Sequence, residues 1–291
     1  MLSTISLFVS LPAAAQRDWD RLPSAASPQV LFSEPFKRVI AVPDFPPVAI
    51  PAVSESSPGS LDTNQTNSEP IVNRKPLLFV GPDASRGITI ARVPLLQGQK
   101  AIALTFDDGP WQDTPQILQV LREHDVKATF FWTGHALQIY PQYANLVVQD
   151  GHAIGNHTWS HKYGQHTHAQ AFTEVQNTGA LIRKLTDVRT FLFRPPGGRL
   201  DNGLVAYAEQ SNFTVVHWSI DAQDWRSGVT AAAIVQNVVR EAHPGAIVLM
   251  HDGGGDRQAT VAALPQIITQ LKQQGYEFVT VPALLRRNVT L

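Results

Sequence analysis

Residues 100–110 read KAIALTFDDGP, an apolar run that ends in two adjacent acids, Asp107 and Asp108. The apolar run is typical of a buried strand. Adjacent carboxylates repel each other, and near an apolar core their charged forms also lose hydration. A surface turn is one explanation of the pair, since Asp-Gly is common turn chemistry. The other explanation is a cation between the acids, and the rest of the chain must then supply its other ligands.

Strand-like runs alternate with helical stretches over the rest of the chain. The runs after the first one are KATFFWTG, HAIGNHT, TFLFRPPGG, FTVVHWSID, GAIVLMHD and YEFVTV. About seven strand–helix units of this kind predict an α/β fold built on a parallel sheet or a barrel. In such folds the active site gathers at the carboxyl ends of the strands.

Charged and imidazole side chains recur at this one edge of the predicted sheet. Those that come just after a strand-like run are Asp107, Asp108, His157, Arg194, Asp221 and His251. A surface turn accounts for any one of them, but their recurrence at one edge favours a shared site. The sequence therefore predicts a functional site at the C-terminal ends of the strands.

The segment HTWSH, residues 157–161, offers the best partners for the two acids. On a helical turn His157 and His161 share one face, with their Cβ atoms about 5–6 Å apart. Two histidines and one carboxylate, with positions open for water, are typical of a hydrolytic zinc site or a ferrous site. The chain has ten histidines, so a pair of surface histidines is the alternative interpretation.

The composition limits the classes of function. The chain has 291 residues, a formal net charge of −1 and no cysteine. We expect no nucleic-acid partner, because the chain lacks the clustered positive charge that such partners require. The lack of cysteine excludes disulfides and thiolate metal sites. No segment approaches the roughly 20 apolar residues that span a bilayer, so we expect no membrane span.

The N-terminal quarter of the chain differs in composition from the rest. Residues 1–16, MLSTISLFVSLPAAAQ, resemble a signal segment that ends in small residues but lacks a basic start. They predict a secreted, periplasmic or cell-envelope protein. Residues 17–75 are rich in Pro, Ser and Asn, which indicates a linker or N-terminal extension. A prodomain or an accessory strand pair is the alternative for this region.

Five short motifs follow one another in the order TFDDGP, HTWSH, RPPGG, DAQDW and LMH. In order and spacing they resemble the polysaccharide deacetylases of carbohydrate esterase family 4, whose catalytic unit is the NodB homology domain. The resemblance covers about residues 100–285 and implies that residues 76–291 form this catalytic domain as a distorted (β/α) barrel. It also implies one divalent metal ion, with zinc expected and cobalt or another divalent ion as the alternative.

The resemblance implies a role for each charged residue near the first two motifs. Asp108, His157 and His161 would bind the metal ion. Asp107 would be the general base that takes a proton from metal-bound water, whose pKa a cation lowers steeply. Arg194 would pair with Asp107 and orient it.

The later motifs imply the other half of the machinery. His251 would protonate the leaving amine, and Asp224 would hold the charge of the resulting imidazolium. The amide of Gly197, on a backbone fixed by Pro196, would help to hold the tetrahedral oxyanion. Most relatives carry an aromatic residue where Gly197 stands, so we expect this cleft to lack that aromatic wall.

An apolar pocket for the acetyl methyl group is expected from Leu249 together with Trp218 or Trp225. The alternative for the tryptophans is ordinary core packing, which is common for this residue type. Asp221 is interpreted as a brace for its loop, without a catalytic step.

These observations predict a metal-dependent hydrolase that removes acetyl groups from N-acetylglucosamine in peptidoglycan or a chitin-like glycan, and we expect a monomer. One alternative is an O-acetyl xylan esterase with the same machinery. The His251–Asp224 pair favours the amide, because an amide nitrogen needs protonation more than an alkoxide does. The other alternative is a glycan-binding module without catalysis, which the full set of charged residues disfavours.

Overall fold

The structure is a computed structural model that describes residues 77–79 and 82–288. The predicted signal segment (1–16) and the predicted linker or extension (17–75) lie outside the described residues. Within the described part of the chain, no helix combines the length and the apolar character needed to cross a membrane.

Parallel strands form the scaffold of the described chain. They are β1 (Leu77–Phe79), β2 (Thr89–Ile90), β3 (Ala101–Asp107), β4 (Thr129–Trp132), β5 (Ala153–Asn156), β6 (Val188–Thr190), β7 (Leu192–Phe193), β8 (Thr214–Val216), β9 (Ile220–Asp221), β10 (Ile247–His251) and β11 (Glu277–Phe278). One sheet of nine strands has the order β2-β8-β7-β5-β4-β3-β10-β9, and β11 pairs with β3 beside this path. β1 and β6 form a separate two-stranded sheet.

Helices follow most strands of the large sheet. They are α1 (Thr114–Glu123), α2 (Gly134–Ile139), α3 (Gln142–Gln149), α4 (His168–Thr186), α5 (Leu204–Gln210), α6 (Ala231–Glu241), α7 (Gln258–Gln273) and α8 (Val281–Leu285). The longest, α4, begins at a capping box in which the Thr167 side chain accepts from the Gln170 amide and the Gln170 side chain accepts from the Thr167 amide. It ends at Asp187, whose left-handed backbone (φ 55°) stops the helix.

The large sheet curls into an incomplete barrel. β8 lies near one end of the sheet and β9 at the other, yet only residues 217–219 separate them along the chain. A segment of this length spans at most about 14 Å, so the two ends of the sheet must approach each other. The strand–helix units are seven: β3–α1, β4–α2/α3, β5–α4, β7–α5, β9–α6, β10–α7 and β11–α8. The α/β prediction of a distorted (β/α) barrel is confirmed, and very short strands such as β2 bring the strand count above seven.

The central strand is β3, and its position explains its sequence. β10 pairs with one edge of β3, where His251 lies opposite Asp107, and β4 pairs with the other edge, where Phe131 lies opposite Asp107. All seven residues of β3 are buried. A strand covered on both faces and both edges must be apolar almost throughout, as the run AIALTF is.

The two faces of β3 pack in different hydrophobic clusters. Its even-numbered residues pack with residues of helices α1, α6 and α7 outside the curled sheet. Ala101 and Ala103 instead meet side chains from β4, β7, β8 and β10, which converge inside it. Because successive strand residues face opposite sides, Thr105 and Asp107 share this inner face. Asp107 therefore ends an apolar strand at the mouth of the barrel.

Candidate metal centre and catalytic site

The turn at the end of β3 directs two adjacent carboxylates to different partners. Asp108 has a left-handed backbone (φ 73°), a conformation that Asp adopts more readily than most residues. As a result Asp107 contacts Arg194, whereas the closest ion-pair contacts of Asp108 are to His157 and His161. Both aspartates are buried, at 3% and 6% exposed. The carboxylates that the sequence places side by side thus belong to two different interactions.

The two histidines do not lie on a helical turn, contrary to the prediction. Residues 157–161 form a loop after β5 in which Thr158 (φ 68°) and His161 (φ 54°) are left-handed. A right-handed helix cannot continue through such residues. The Thr158 amide donates to Asn156 Oδ1 at 3.0 Å, and the His161 amide donates to Thr158 Oγ1 at 3.1 Å. This loop still brings the imidazole centroids of His157 and His161 to 4.9 Å.

Glu174 of α4 fixes the same loop from outside. Its carboxylate accepts hydrogen bonds from the amides of Trp159 (2.9 Å) and Ser160 (2.8 Å) and from Ser160 Oγ (2.6 Å). Asn156 Nδ2 donates to the carbonyl of Val175 in the same helix at 2.7 Å. Neither Glu174 nor Asn156 was predicted from the sequence. Asn156 could have been found from the sequence, because it directly precedes HTWSH at the end of a strand. Glu174 could not, because it is one of many polar residues on α4.

Asp108, His157 and His161 form the one cluster among the described residues whose side chains could hold a metal ion, and their ligand atoms lie within 4.8 Å of one another. Asp108 Oδ1 lies 3.4 Å from His157 Nε2 and 3.1 Å from His161 Nε2. Burial would raise the pKa of Asp108, but His161 and His157 hold it well below its ordinary value. The structure therefore favours the ionised form of this carboxylate.

The hydrogen bonding of the cluster fits a cation. Asp108 Oδ1 is buried and makes no hydrogen bond to any described residue, although two imidazole nitrogens face it. His157 Nδ1 donates to the carbonyl of Arg194 at 2.7 Å, which leaves the lone pair on Nε2 directed at the cluster. Two nitrogens and one carboxylate oxygen, with positions open, are a donor set that zinc and other divalent ions accept.

Arg194 is the buried counter-charge of Asp107. Its guanidinium Nη1 donates to Asp107 Oδ1 at 2.6 Å and to Thr105 Oγ1 at 2.8 Å. Nε donates to the carbonyl of Val216 at 2.9 Å, and Nη2 to that of His217 at 3.2 Å. Burial lowers the pKa of Arg194, and the charge of Asp107 opposes that shift. Thr105 was not predicted, although its position two residues before Asp107 puts it on the same face of β3.

His251 ends β10 and is paired with Asp224. His251 Nδ1 lies 2.7 Å from Asp224 Oδ1, and the His251 amide donates to Asp224 Oδ2 at 2.8 Å. Thr260 Oγ1 also donates to Oδ2 at 2.8 Å. Burial alone would lower the pKa of His251, but the charge of Asp224 and their hydrogen bond raise it to about 9. The imidazole is therefore held as a proton donor.

Comparison with known proteins identifies the family of this chain. The polysaccharide deacetylase family matches residues 96–216. A peptidoglycan-N-acetylglucosamine deacetylase of Bacillus cereus is 43% identical over 192 residues, which make up 65% of this chain and 89% of that protein. This chain belongs to the polysaccharide deacetylase family.

Solved structures of family members share its fold. The Bc1960 peptidoglycan N-acetylglucosamine deacetylase superposes with a TM-score of 0.64 at 36% identity, over 69% of this chain and 94% of that chain. BA3943 of Bacillus anthracis, a pseudoenzyme of carbohydrate esterase family 4, has a TM-score of 0.63 at 31% identity, over 69% and 70% of the two chains. Because one of these similar structures is a pseudoenzyme, the fold alone does not establish catalysis, which depends on the side chains of the site.

The turn after Arg194 carries the amide that the resemblance assigns to the oxyanion in this polysaccharide deacetylase. Pro196 is buried, and Gly197 follows it in the turn with a left-handed backbone (φ 58°). The ring of Tyr163 lies directly against Gly197. Burial, with the charge of Asp108, raises the pKa of Tyr163. Tyr163 was not among the predicted site residues.

The residues predicted to line an acetyl pocket lie beside the charged ones. Leu249, on β10, is 4% exposed, and Trp225 directly follows Asp224. Trp225 Nε1 donates to Asp221 Oδ1 at 3.3 Å, and the Gln223 amide donates to the same oxygen at 2.8 Å. Asp221 thus contacts its own loop. The other candidate, Trp218, stacks on His217 with ring centroids 4.0 Å apart.

Asp252 is a buried acid beneath the turn, and sequence analysis missed it. Its amide donates to the carbonyl of Asp107 at 3.0 Å. Its carboxylate accepts from Thr114 Oγ1 at 2.7 Å and from Trp132 Nε1 at 3.1 Å. Burial, reinforced by the nearby carboxylates of Asp108 and Asp107, raises the pKa of Asp252 to about 7 despite these hydrogen bonds. Its contacts support the backbone that presents both site aspartates.

Proposed function

We propose that this chain hydrolyses the N-acetyl group of N-acetylglucosamine residues in peptidoglycan. Water adds to the acetyl carbonyl carbon, the C–N bond breaks, and the products are acetate and a free amine on the sugar. The proposal is carried by one observation: beside the candidate metal cluster, two residues that could transfer protons, Asp107 and His251, are each held by a charged partner. Asp107 is held by Arg194 at 2.6 Å and His251 by Asp224 at 2.7 Å. Two of the similar proteins named above, the one from Bacillus cereus and Bc1960, are peptidoglycan N-acetylglucosamine deacetylases.

Asp108, His157 and His161 would hold one divalent cation, and we propose zinc. Bound there, the cation would supply Lewis acidity that lowers the pKa of water and polarises the acetyl carbonyl. The three side chains are buried, and their ligand atoms lie close enough together to share one ion. The chain itself then has to supply the proton transfers and the orientation of the sugar.

Asp107 is the proposed general base. Arg194 engages its Oδ1, whereas its Oδ2 lies 3.7 Å from His157 Nε2 and faces the metal cluster. Oδ2 is therefore the atom that takes a proton from the attacking water. The hydrogen bond from Arg194 keeps the carboxylate from rotating, so the base stays in the orientation that the proton transfer needs.

His251 is the proposed general acid. Its Nδ1 donates to Asp224, so Nε2 is the nitrogen that delivers a proton to the departing amine. An unprotonated amide anion is too basic to leave, and a positioned acid contributes about 10²–10⁴-fold in rate. The amide of Gly197 is the proposed donor to the oxyanion, and donors of this type contribute about 2.7–4 kcal/mol in the transition state.

The same machinery could act on an O-acetyl ester, as in xylan. The raised pKa of His251, about 9, favours the amide, because a protonated acid at neutral pH matters most for a basic nitrogen leaving group. A peptidoglycan substrate also requires a location in the cell envelope, which agrees with the predicted signal segment at residues 1–16.

The proposal is tested by acetate release from the full chain loaded with zinc. The substrates are peptidoglycan, a chito-oligosaccharide and acetylated xylan, each with and without chelator, and Asp107→Asn is the matched variant. We expect chelator-sensitive release, fastest from peptidoglycan, that disappears in the variant. Acetate release from xylan alone would show that the chain hydrolyses O-acetyl esters and not the N-acetyl amide. Glycan binding without release from any substrate would indicate a binding module.

A further inference from the structure

The ring of Tyr163 fills the space next to Gly197. A Cβ atom placed on Gly197 would lie 2.5 Å from Tyr163 Cε1 and 2.9 Å from Cδ1, far inside contact distance. No side chain fits at position 197 while Tyr163 keeps this position. An aromatic ring is therefore present beside the proposed oxyanion amide, but it comes from the loop after β5 and not from position 197.

The position of Tyr163 is fixed from two sides. Its ring meets the ring of His161 edge-on, with centroids 5.1 Å apart at 83°. Its carbonyl accepts from Nδ2 of the buried Asn202 at 3.4 Å, and the Asn202 carbonyl accepts from the His166 amide at 2.9 Å. These contacts connect the loop after β5, which carries the proposed ligand His161, to the loop after Gly197, which carries Asn202.

The phenol group of Tyr163 is available to a ligand. The side chain is partly exposed, and no described residue forms a hydrogen bond with its hydroxyl. A tyrosine in such a position offers an apolar ring face together with one polar group. A pyranose ring presents the complementary surface, since C–H groups line its face and hydroxyls its edge.

We propose that Tyr163 forms the aromatic wall of the subsite for the acetylated sugar and is a specificity-determining residue. The ring packs against the sugar that carries the acetyl group, and the phenol hydroxyl bonds to one of its hydroxyls. This inference rests on the proposed function, because it needs an N-acetylated glycan in the cleft. Under this proposal Tyr163 supplies the aromatic wall that was not expected beside Gly197.

The test compares Tyr163→Ala, Tyr163→Phe, Gly197→Tyr and the double variant Tyr163→Ala/Gly197→Tyr in the full, zinc-loaded chain. Kinetics use a chito-tetrasaccharide and a small aryl acetate without a sugar. Tyr163→Ala should raise KM for the tetrasaccharide about tenfold, and Tyr163→Phe less, because an aromatic contact is worth up to about one factor of ten in affinity. The rise in KM should be larger for the tetrasaccharide than for the aryl acetate, whereas a merely structural role would lower kcat on both substrates alike.

The double variant is the sharper comparison. Gly197→Tyr alone should fail on the tetrasaccharide, since its side chain collides with Tyr163. Removing Tyr163 makes room, so the double variant should bind better than Gly197→Tyr alone. The double variant should also have a lower KM than Tyr163→Ala, because an aromatic ring is restored beside the amide; if Tyr163 only supports the loop, it should not. Phe172→Ala, an aromatic truncation on α4 at a residue 52% exposed, is the matched control and should not change KM.

Binding of the tetrasaccharide to Asp107→Asn, measured by calorimetry, separates the two proposals. If adding Tyr163→Ala lowers the affinity for the tetrasaccharide, the aromatic wall is supported. This holds even if the unaltered chain releases no acetate, because that result would contradict only the proposed function. Unchanged affinity and unchanged KM in Tyr163→Ala would overturn the wall, while acetate release by the unaltered chain would still support the deacetylase.

Discussion

Arg194 Nη1 lies 2.6 Å from Asp107 Oδ1, although the two residues stand 87 positions apart in the chain. The Arg194 side chain has no exposed surface and that of Asp107 is 4% exposed, so neither charge is screened by water. Arg194 also lies 4.1 Å from the centroid of the Phe131 ring. The pair thus sits inside the curled sheet, where breaking it leaves a charge uncompensated.

We expect Arg194→Ala to destabilise the protein by about 3–5 kcal/mol, since removal of one partner leaves a buried charge. Urea unfolding monitored by tryptophan fluorescence measures this loss. Arg122→Ala, which removes a surface ion pair with Asp150, is the control and should leave the unfolding midpoint unchanged. Equal effects of the two variants would show that the Arg194 pair contributes no more than a surface pair.

The adjacent aspartates should respond differently to the same substitution. Asp107→Asn should retain one zinc ion per chain while kcat falls about 10²–10⁴-fold, because it removes the proposed base and no ligand. Asp108→Asn should instead lose zinc, since it removes the charged ligand from the buried cluster. Zinc content by atomic absorption, read beside acetate release, distinguishes them. Zinc loss in Asp107→Asn would contradict the division of roles.

His251 should set the alkaline limit of activity. The acid must be protonated to act, and its pKa is about 9, so kcat/KM should fall as pH rises through that value. Asp224→Asn removes the charge that raises the pKa of His251. The alkaline limb of the profile, where kcat/KM falls, should then move toward the ordinary pKa of histidine, about 6.5. A pH profile of kcat/KM measures both. An alkaline limb that stays in place in Asp224→Asn would exclude His251 as its source.

Stability should follow the same titration with the same sign. The pKa of His251 is higher in the folded chain than in the unfolded chain, so its pairing with Asp224 stabilises the fold fully below about pH 6.5. That contribution should disappear as pH rises to about 9 in the unaltered chain. Urea midpoints between pH 6 and 10, compared with those of His251→Gln, measure it. Parallel curves for the two proteins would contradict the linkage.

Those features of fold and site that are local in the chain could be predicted from the sequence. The run that ends at Asp107 predicted a buried strand, alternation with helices predicted a parallel sheet or a barrel, and the resemblance to the family implied the barrel. The two adjacent acids and the segment HTWSH predicted the candidate metal cluster, because only a few residue types bind metal ions. The backbone at His161 could not be predicted in this way, because its left-handed conformation depends on hydrogen bonds to Thr158 and α4.

Supporting residues were missed because tertiary contacts, not local patterns, give them their roles. Tyr163 follows a histidine motif like any loop tyrosine, and only the approach of Gly197 makes its ring part of the site. Asp252 follows His251 in a glycine-rich stretch that resembles a turn, yet it is fully buried beneath β3. Glu174 is the most consequential of these residues, since it binds the loop between the two histidines that are the proposed metal ligands.

Glu174→Ala should weaken zinc binding about 10–100-fold, because groups that orient metal ligands contribute this much to affinity. The variant deprives two amides and one hydroxyl in residues 159–160 of their acceptor, so the ligand loop loses its fixed conformation. Competition with a chromophoric chelator measures the dissociation constant. At saturating zinc, kcat should recover most of its value, since no reacting group is lost. Glu174→Gln keeps one acceptor oxygen and should fall between the two proteins. Unaltered zinc affinity in Glu174→Ala would show that the histidine loop holds its conformation without α4.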